Sequence, residues 1–394
     1  MKKVLKILFI CVFAILVVFF FRKNNIKIEN LTTSFDSLIN KSDFTYTKDF
    51  KVNKLQIANS DYYYNKLTDS QKIIYSSIAK GVNKYEKNIS VKNYIVKDND
   101  TSYNDVSAAM EAFFTDHPEV FYLNYNYQLN NVQSAISSKL EIQVTYTDVA
   151  YKINEQINEL DDKIKEMTSD ISSLNDFEKE LAVHDKLGKL SSYYTTSSDD
   201  IPQICHTSYG AIISKSAVCD GFTKAMQLLL DRVKIESIFV SGVTDNKAHA
   251  WNLVKINNNW YHMDLTSDKL VKQTDGTTPN LIHSYFNITD DQIQQTHKIN
   301  NKERIPEATA TQYNYYIYTN NYIYGSNDFE TKLKEIVNFQ NNNSILEFAT
   351  DNITDVPTKM TKIFYNINFN NLAQKTGSIS VNYYNVLNSY IVIK

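Results

Sequence analysis

His249 to Ile256 and Trp260 to Leu265 read as two strands separated only by Asn257-Asn258-Asn259. Asparagine tolerates the positive φ that a two-residue hairpin turn requires. The turn constrains the fold tightly, because side chains in a strand alternate faces and a slip of one residue sends every one of them to the other side. With Asn257 and Asn258 in the central turn positions, Ile256 faces Asn259 and Trp251 faces Asp264. His249 then becomes the diagonal neighbour of Asp264 on the same face, about 7–8 Å away at the backbone. A histidine and an aspartate so placed can meet.

Upstream, Phe222, Met226, Leu229 and Val233 recur at helical spacing, which puts Cys219 at or just before a first helical turn. Ile235 to Val240 reads as a strand and Gly242 to Lys247 as a loop. A cysteine attacks a carbonyl only as thiolate, and both a helix N-terminus and a nearby imidazolium favour that form. Cys219 is therefore the candidate nucleophile, His249 the base and Asp264 the group that orients it. Asp220 opposes the thiolate by its charge or else stabilises the first turn, and Gly221 leaves room for a substrate backbone. The Cys219 amide is the natural oxyanion donor, with Tyr209 a candidate second one. Against this stands a plain alternative: cysteine is commonly buried, and a Cys, a His and an Asp occur in most chains of this length. His262 and His184 read as packing residues, and Trp251 and Trp260 as core or wall.

The full chain has 394 residues, more than one ordinary core, so several domains are expected. The boundaries read as a signal anchor or signal peptide (1–24), a polar stalk (25–60), a helix-rich domain (61–175), the domain carrying Cys219, His249 and Asp264 (176–304) and a small α+β domain (305–394). The apolar run Ile7 to Phe21, flanked by lysines before and Arg22 and Lys23 after, carries no small-residue cleavage pattern, which favours an uncleaved anchor with the rest of the chain outside the membrane. With 41 basic against 44 acidic side chains, nothing is left over to neutralise a phosphate backbone, so nucleic acid is excluded as the main partner. Cys11, Cys205 and Cys219 do not make a disulfide framework. In the N-terminal domain a helix opens at Thr68, a second spans Asn104 to Phe114, and Val120–Leu123 and Leu140–Tyr146 read as strands. A long helix follows from Val149, then one opened by the Asn175/Glu178 capping box. Beyond Pro306, Tyr313–Tyr324 suggests a strand pair, followed by a helix, a strand, a helix and a final strand or hairpin.

The wording around these residues resembles that of the bacterial transglutaminase-like superfamily, a branch of the papain-like thiol enzymes. The resemblance is carried by Tyr209-Gly210-Ala211-Ile212, Ala217-Val218-Cys219-Asp220-Gly221-Phe222-Thr223-Lys224-Ala225, His249-Ala250-Trp251-Asn252 and Trp260-Tyr261-His262-Met263-Asp264-Leu265-Thr266. It extends over about residues 176–300, including Ser284 to Asp291. It implies an α+β fold in which a cysteine-bearing helix packs on an antiparallel sheet, with Cys219, His249 and Asp264 as the catalytic triad. Ser267-Asp268 stands where an aromatic is common, which bears on the substrate wall. Tyr62-Tyr63-Tyr64 and Asp116-His117-Pro118-Glu119-Val120-Phe121 resemble segments found upstream of this domain in surface proteins of Gram-positive bacteria.

The expected activity is therefore acyl transfer on a protein or peptide, ending on an amine or on water, at the outer face of the membrane or in secreted form. No cofactor is expected. A zinc site at Cys205 and His206 is disfavoured because no paired ligand spacing occurs. The reading from another class is a surface scaffold that binds protein or cell-wall material without chemistry.

Overall fold

The chain divides into two compact units, Met1–Phe50 and Lys51–Lys394. The computed structural model describes residues of the second only: 52–58, 61–92, 94, 99–133, 138–196, 200–269, 281–340, 345–351, 353–366 and 383–393. The apolar segment and most of the stalk lie outside the described residues. Among those described, no helix is long and apolar enough to cross a membrane.

Helix α1 (Asp69–Asn83) opens on a reciprocal capping box between Thr68 and Gln71 and buries Ile74, Tyr75, Ile78 and Val82. It packs on α2 (Asn99–Asp116), beside a three-stranded sheet of β1 (Asn88–Val91), β2 (Leu123–Gln133) and β3 (Ser138–Tyr146) in the order β1-β3-β2. Val120 to Tyr122, expected as strand, precede β2, with Phe121 and Tyr122 in a turn. The Val120 amide bonds back to the His117 carbonyl at 3.0 Å, so the strand begins only at Leu123. The Asp116 carboxylate explains why this turn matters: it accepts the amides of Tyr63 (2.9 Å) and Tyr64 (2.8 Å) and the Tyr75 hydroxyl (3.2 Å). The tyrosine run and the Asp-His-Pro segment are thus two halves of one buried junction.

Helices α3 (Ala150–Thr168) and α4 (Asp176–Leu190) follow, the latter closed at its start by the Asn175/Glu178 capping box. Two short strands, β4 (Ser192–Tyr193) and β5 (Ser216–Ala217), pair in parallel on either side of α5 (Ser208–Ile212) in the sequence, just ahead of α6 (Cys219–Arg232). Helix α6 packs on an antiparallel sheet of β6 (Glu236–Thr244), β7 (Lys247–Ile256), β8 (Asn259–Met263), β9 (Phe286–Ile288) and, after α7 (Asp290–Ile293), β10 (His297–Ile299), in the order β10-β6-β7-β8-β9. Ile256 pairs with Asn259, and Asn257 and Asn258 have φ of 47° and 65°, the two left-handed residues of a tight hairpin. The loop expected over 242–247 is likewise a hairpin: Thr244 pairs with Lys247 around Asp245 and Asn246, whose φ values are 48° and 60°.

The C-terminal part holds α8 (Tyr315–Tyr318), β11 (Tyr322–Ile323), α9 (Phe329–Phe339), β12 (Ile345–Thr350), α10 (Val356–Asn366), β13 (Tyr383–Val386) and β14 (Ser389–Ile393), its strands ordered β11-β12-β14-β13. Leu333, Ile336, Phe348, Met360, Phe364 and Val392 form its core. The strand pair expected at Tyr313–Tyr324 is a single helical turn and a two-residue strand. Asn314 caps the turn by accepting the Tyr316 amide at 3.1 Å, and Asn320, at φ 60°, ends it.

Candidate active site

Cys219 is the first residue of α6, and the N-cap residue Val218 offers no side-chain acceptor to the exposed amides of that end. The helix N-terminus therefore presents its partial positive charge at the thiol, although the Asp220 carboxylate in the first turn accepts the Gly221 amide at 3.0 Å. Burial of the helix comes from Phe222, Ala225, Met226, Leu229 and Leu230, which seat it on the sheet. Gly221 is needed for a different close approach from the expected one. A Cβ there would lie 2.3 Å from the Cys205 carbonyl oxygen and 3.2 Å from the Thr207 amide, so it is the chain's own 205–207 backbone, not a substrate, that fills this space. Val218 donates its amide to the same Cys205 carbonyl at 3.0 Å.

The hairpin delivers His249 to Asp264, with Nε2 of the imidazole 2.7 Å from Oδ2 of the carboxylate. Nδ1 is thereby left for Cys219, whose thiol interacts with the ring. Burial alone would lower the histidine's pKa. The Asp264 charge and hydrogen bond, with a smaller contribution from Cys219, outweigh it and lift the value to about 10. Asp264 is itself 1% exposed and heavily bonded. Its Oδ1 accepts the Thr266 amide (3.0 Å), the Thr266 hydroxyl (2.7 Å) and the Ser267 amide (3.1 Å), while Oδ2 also accepts the Ser267 hydroxyl (2.5 Å). Burial pushes this carboxyl up, but His249 and His297 hold it well below the usual carboxylate range. Ser267 and Asp268 are buried beneath the site and are not a substrate wall.

His297, on β10, was not singled out by sequence. Its Nε2 lies 3.0 Å from the same Asp264 Oδ2, and its Nδ1 is 2.8 Å from the Thr296 hydroxyl. Gly242 is the signal that could have pointed here, since a glycine inside a strand marks a close approach. A Cβ on it would lie 2.5 Å from the Trp251 ring and 2.4 Å from the Lys298 carbonyl. Trp251 in turn stacks beside His249, with centroids 5.9 Å apart, and meets His297 edge-on at 5.0 Å.

The remaining residues fall as follows. His262 belongs to a separate chain: its Nδ1 accepts the Trp251 indole N–H at 2.8 Å, so its proton sits on Nε2, 2.8 Å from Asp290. Burial lowers its pKa, which keeps it neutral. The Asp220 carboxylate turns to His206 (2.9 Å) and to the Lys224 amine (3.6 Å), whose charge opposes its own. Tyr209 is not placed as an oxyanion donor, because its hydroxyl donates to Glu159 and its ring stacks on Phe121. Tyr193, unremarked in the sequence, does lie against Cys219. Burial raises its phenol to about 12, the nearby thiol adds to this, and the Cys219 amide, directed at the phenol oxygen, opposes it. Its ring is 43% exposed and lies parallel to Phe222, so it forms part of the open wall. Cys205 and Cys219 are both free, and burial raises the Cys205 thiol. Donor atoms close enough to hold a metal ion occur in two groups among the described residues, His249/Asp264/His297 and His184/Asp185/His283.

A cysteine at a helix N-terminus, packed on an antiparallel sheet that supplies a paired His and Asp, is an arrangement that can activate a thiol. Residues 165–265 match the family model of the Transglutaminase-like superfamily. No curated protein matches the chain. Among solved structures, a candidate cysteine protease from Cytophaga hutchinsonii is similar at 13% identity and a TM-score of 0.24, covering 40% of this chain and 67% of that one. Another, described as a TGase, is similar at 13% identity and a TM-score of 0.25, covering 48% of this chain and 54% of that one. Agreement at that level has no bearing on what this chain does.

Proposed function

We propose that the protein is a cysteine acyl-transfer enzyme acting on amide bonds of a protein or peptide through Cys219, His249 and Asp264. The observation that carries this reading is the pairing of His249 Nε2 with Asp264 at 2.7 Å, which leaves Nδ1 for a thiol at the head of α6. In the first step the Cys219 thiolate adds to the substrate carbonyl and the oxyanion is received by the α6 N-terminus. His249, as imidazolium, gives its proton to the departing amine, and a thioester remains. In the second step the now neutral imidazole takes a proton from the incoming amine or water, the new C–N or C–O bond forms, and the thiolate leaves. Asp264 keeps the proton on Nε2 and balances the imidazolium charge throughout. The apolar segment before Arg22 would hold this domain at the outer face of the membrane, or direct its secretion.

Alkylation by iodoacetamide tests the site. Cys219 is expected to react far faster than Cys205, and His249→Ala to remove the difference. Intact-mass measurement on glutamine-containing peptides, with and without an added primary amine, then separates transfer from hydrolysis. Absence of any Cys219-dependent product would return the protein to the scaffold reading.

A further inference from the structure

Away from Cys219, His184 on α4 and His283, three residues ahead of β9, converge on Asp185. Oδ1 of that carboxylate is 3.2 Å from His184 Nδ1 and 3.0 Å from His283 Nε2. Both rings are buried, with centroids 5.4 Å apart, whereas the Asp185 side chain is 28% exposed. Behind each ring stands another buried carboxylate. His283 Nδ1 is 3.0 Å from Glu347 Oε1, and His184 Nε2 is 3.3 Å from Asp268 Oδ2, an approach too poorly directed for a hydrogen bond, so that both of those atoms are buried without a hydrogen-bond partner.

The arrangement has a definite charge logic. Without an ion, a ring proton can fill each contact between the histidines and Asp185 Oδ1; a cation seated among the three atoms would displace those protons and leave the outward ring nitrogens protonated beside Asp268 and Glu347. Three carboxylates share the cluster, and the nearby Lys189 amine, 3.0 Å from Asp185 Oδ2, is on the solvent side. A tetrahedral ion with bonds of about 2.0–2.1 Å spaces its ligand atoms about 3.3 Å apart; the two contacts to Asp185, at 3.2 and 3.0 Å, are also hydrogen-bond distances, and all three ligand atoms lie within 4.8 Å of one another. A carboxylate behind each ligating histidine is also the usual means of fixing tautomer and ring orientation at metal centres.

We propose that His184, Asp185 and His283 bind one divalent transition-metal ion of the zinc type, with Asp268 and Glu347 holding the two imidazoles from behind and a further position open beside Asp185. The other histidine group is less suited, since Asp264 is already saturated by donors and His297 is backed by the Thr296 hydroxyl rather than a carboxylate. The site ties three parts of the chain together: α4, the 281–285 segment and β12. It also reaches the turn under the triad, because the Asp268 amide donates to the Asp264 carbonyl at 3.1 Å and Asp268 Oδ1 accepts the Tyr285 amide at 2.9 Å. Nothing in it depends on Cys219 being a nucleophile.

The test is titration of the EDTA-stripped full chain with Co²⁺ and Zn²⁺, followed by visible absorption of bound Co²⁺, metal analysis after dialysis and thermal melting. One equivalent is expected, with a melting point raised by the ion. Asp185→Asn, partly exposed and isosteric, is expected to abolish binding while melting like the parent in EDTA. Glu347→Gln is expected to weaken binding about 10–100-fold with all three ligands intact. Cys219→Ser and His249→Gln should bind as the parent does. The proposal is overturned if the parent retains no stoichiometric ion, if Asp185→Asn binds undiminished, or if binding is lost in Cys219→Ser or His249→Gln, which would place the ion at the triad.

Discussion

Asp264→Asn is the most informative single change. In the native protein the His249 pKa stands at about 10 against an ordinary 6.5, and at about 1.36 kcal/mol per pH unit that displacement amounts to about 5 kcal/mol in favour of the imidazolium. Burial acts in the opposite direction, so the carboxylate must supply more than this net figure. Asparagine removes the charge and also inverts the hydrogen bond. Two backbone amides, from Thr266 and Ser267, fix an oxygen at the Oδ1 position, so the new NH₂ must face His249 Nε2. That nitrogen becomes an acceptor and the proton moves to Nδ1, where it blocks the approach of the Cys219 proton. The imidazole should then titrate at or below 6.5, because burial remains while its counter-charge is gone. NMR titration of isotopically labelled histidine, assigned by comparison with His249→Gln, measures this directly. Turnover should fall about 10²–10⁴-fold. The reasoning fails if His249 titrates near 6.5 in the parent, or if Asp264→Asn moves it by less than about one pH unit, roughly 1.4 kcal/mol.

Other outcomes follow from the same geometry. His297→Ala should lower the His249 titration and reduce kcat about tenfold by loosening Asp264, roughly 1.4 kcal/mol, with His297→Gln restoring part of both; an unchanged His249 titration would deny His297 a positioning role. The Glu180 carboxyl, fully buried and hydrogen-bonded by Asn287 at 2.7 Å, is raised by burial from 4.5 to about 8. Because the folded state holds this proton more tightly, stability is lost as pH rises from 4.5 toward 8. Glu180→Gln should therefore melt with the parent near pH 4 and above it beyond pH 8, by no more than about 5 kcal/mol; parallel melting curves would refute this. Gly221→Ala should displace the 205–207 backbone and lower the denaturation midpoint by the equivalent of about 1–3 kcal/mol, and a neutral result would mean that the crossing has slack. Asp116→Ala strands the amides of Tyr63 and Tyr64 and should cost about 2–6 kcal/mol in urea unfolding, at about 1–3 kcal/mol for each buried donor.

Features with local chemistry were legible in the sequence. Both capping boxes form, the helix begins at Cys219, and the paired asparagines set the register that brings His249 to Asp264. What escaped depends on contacts between distant segments, or on a local signal masked by a stronger one. The tyrosine repetition at 313–324 suggested strands, but the Asn314 cap and the left-handed Asn320 decide for a helical turn. His297 reaches Asp264 from β10, with β6 and β7 between it and β8 in the sheet order, so no spacing rule finds it. Ser267-Asp268 looked like a departure in the substrate wall, yet the Ser267 hydroxyl, like that of Thr266, is a donor to the Asp264 carboxylate. The His184/Asp185/His283 group joins residues from opposite ends of the domain and leaves no linear trace.

The hairpin at Asn257 and Asn258 also limits how descendants of this chain can change in length. A residue gained or lost within 250–256 or 260–263 would turn His249 and Asp264 to opposite faces, because each strand position alternates. Only the tip can absorb a new residue without reversing a strand, and there it must find a turn that still aligns the two arms. Variation in length between these two side chains is therefore channelled to the tip or to equal extensions of both strands.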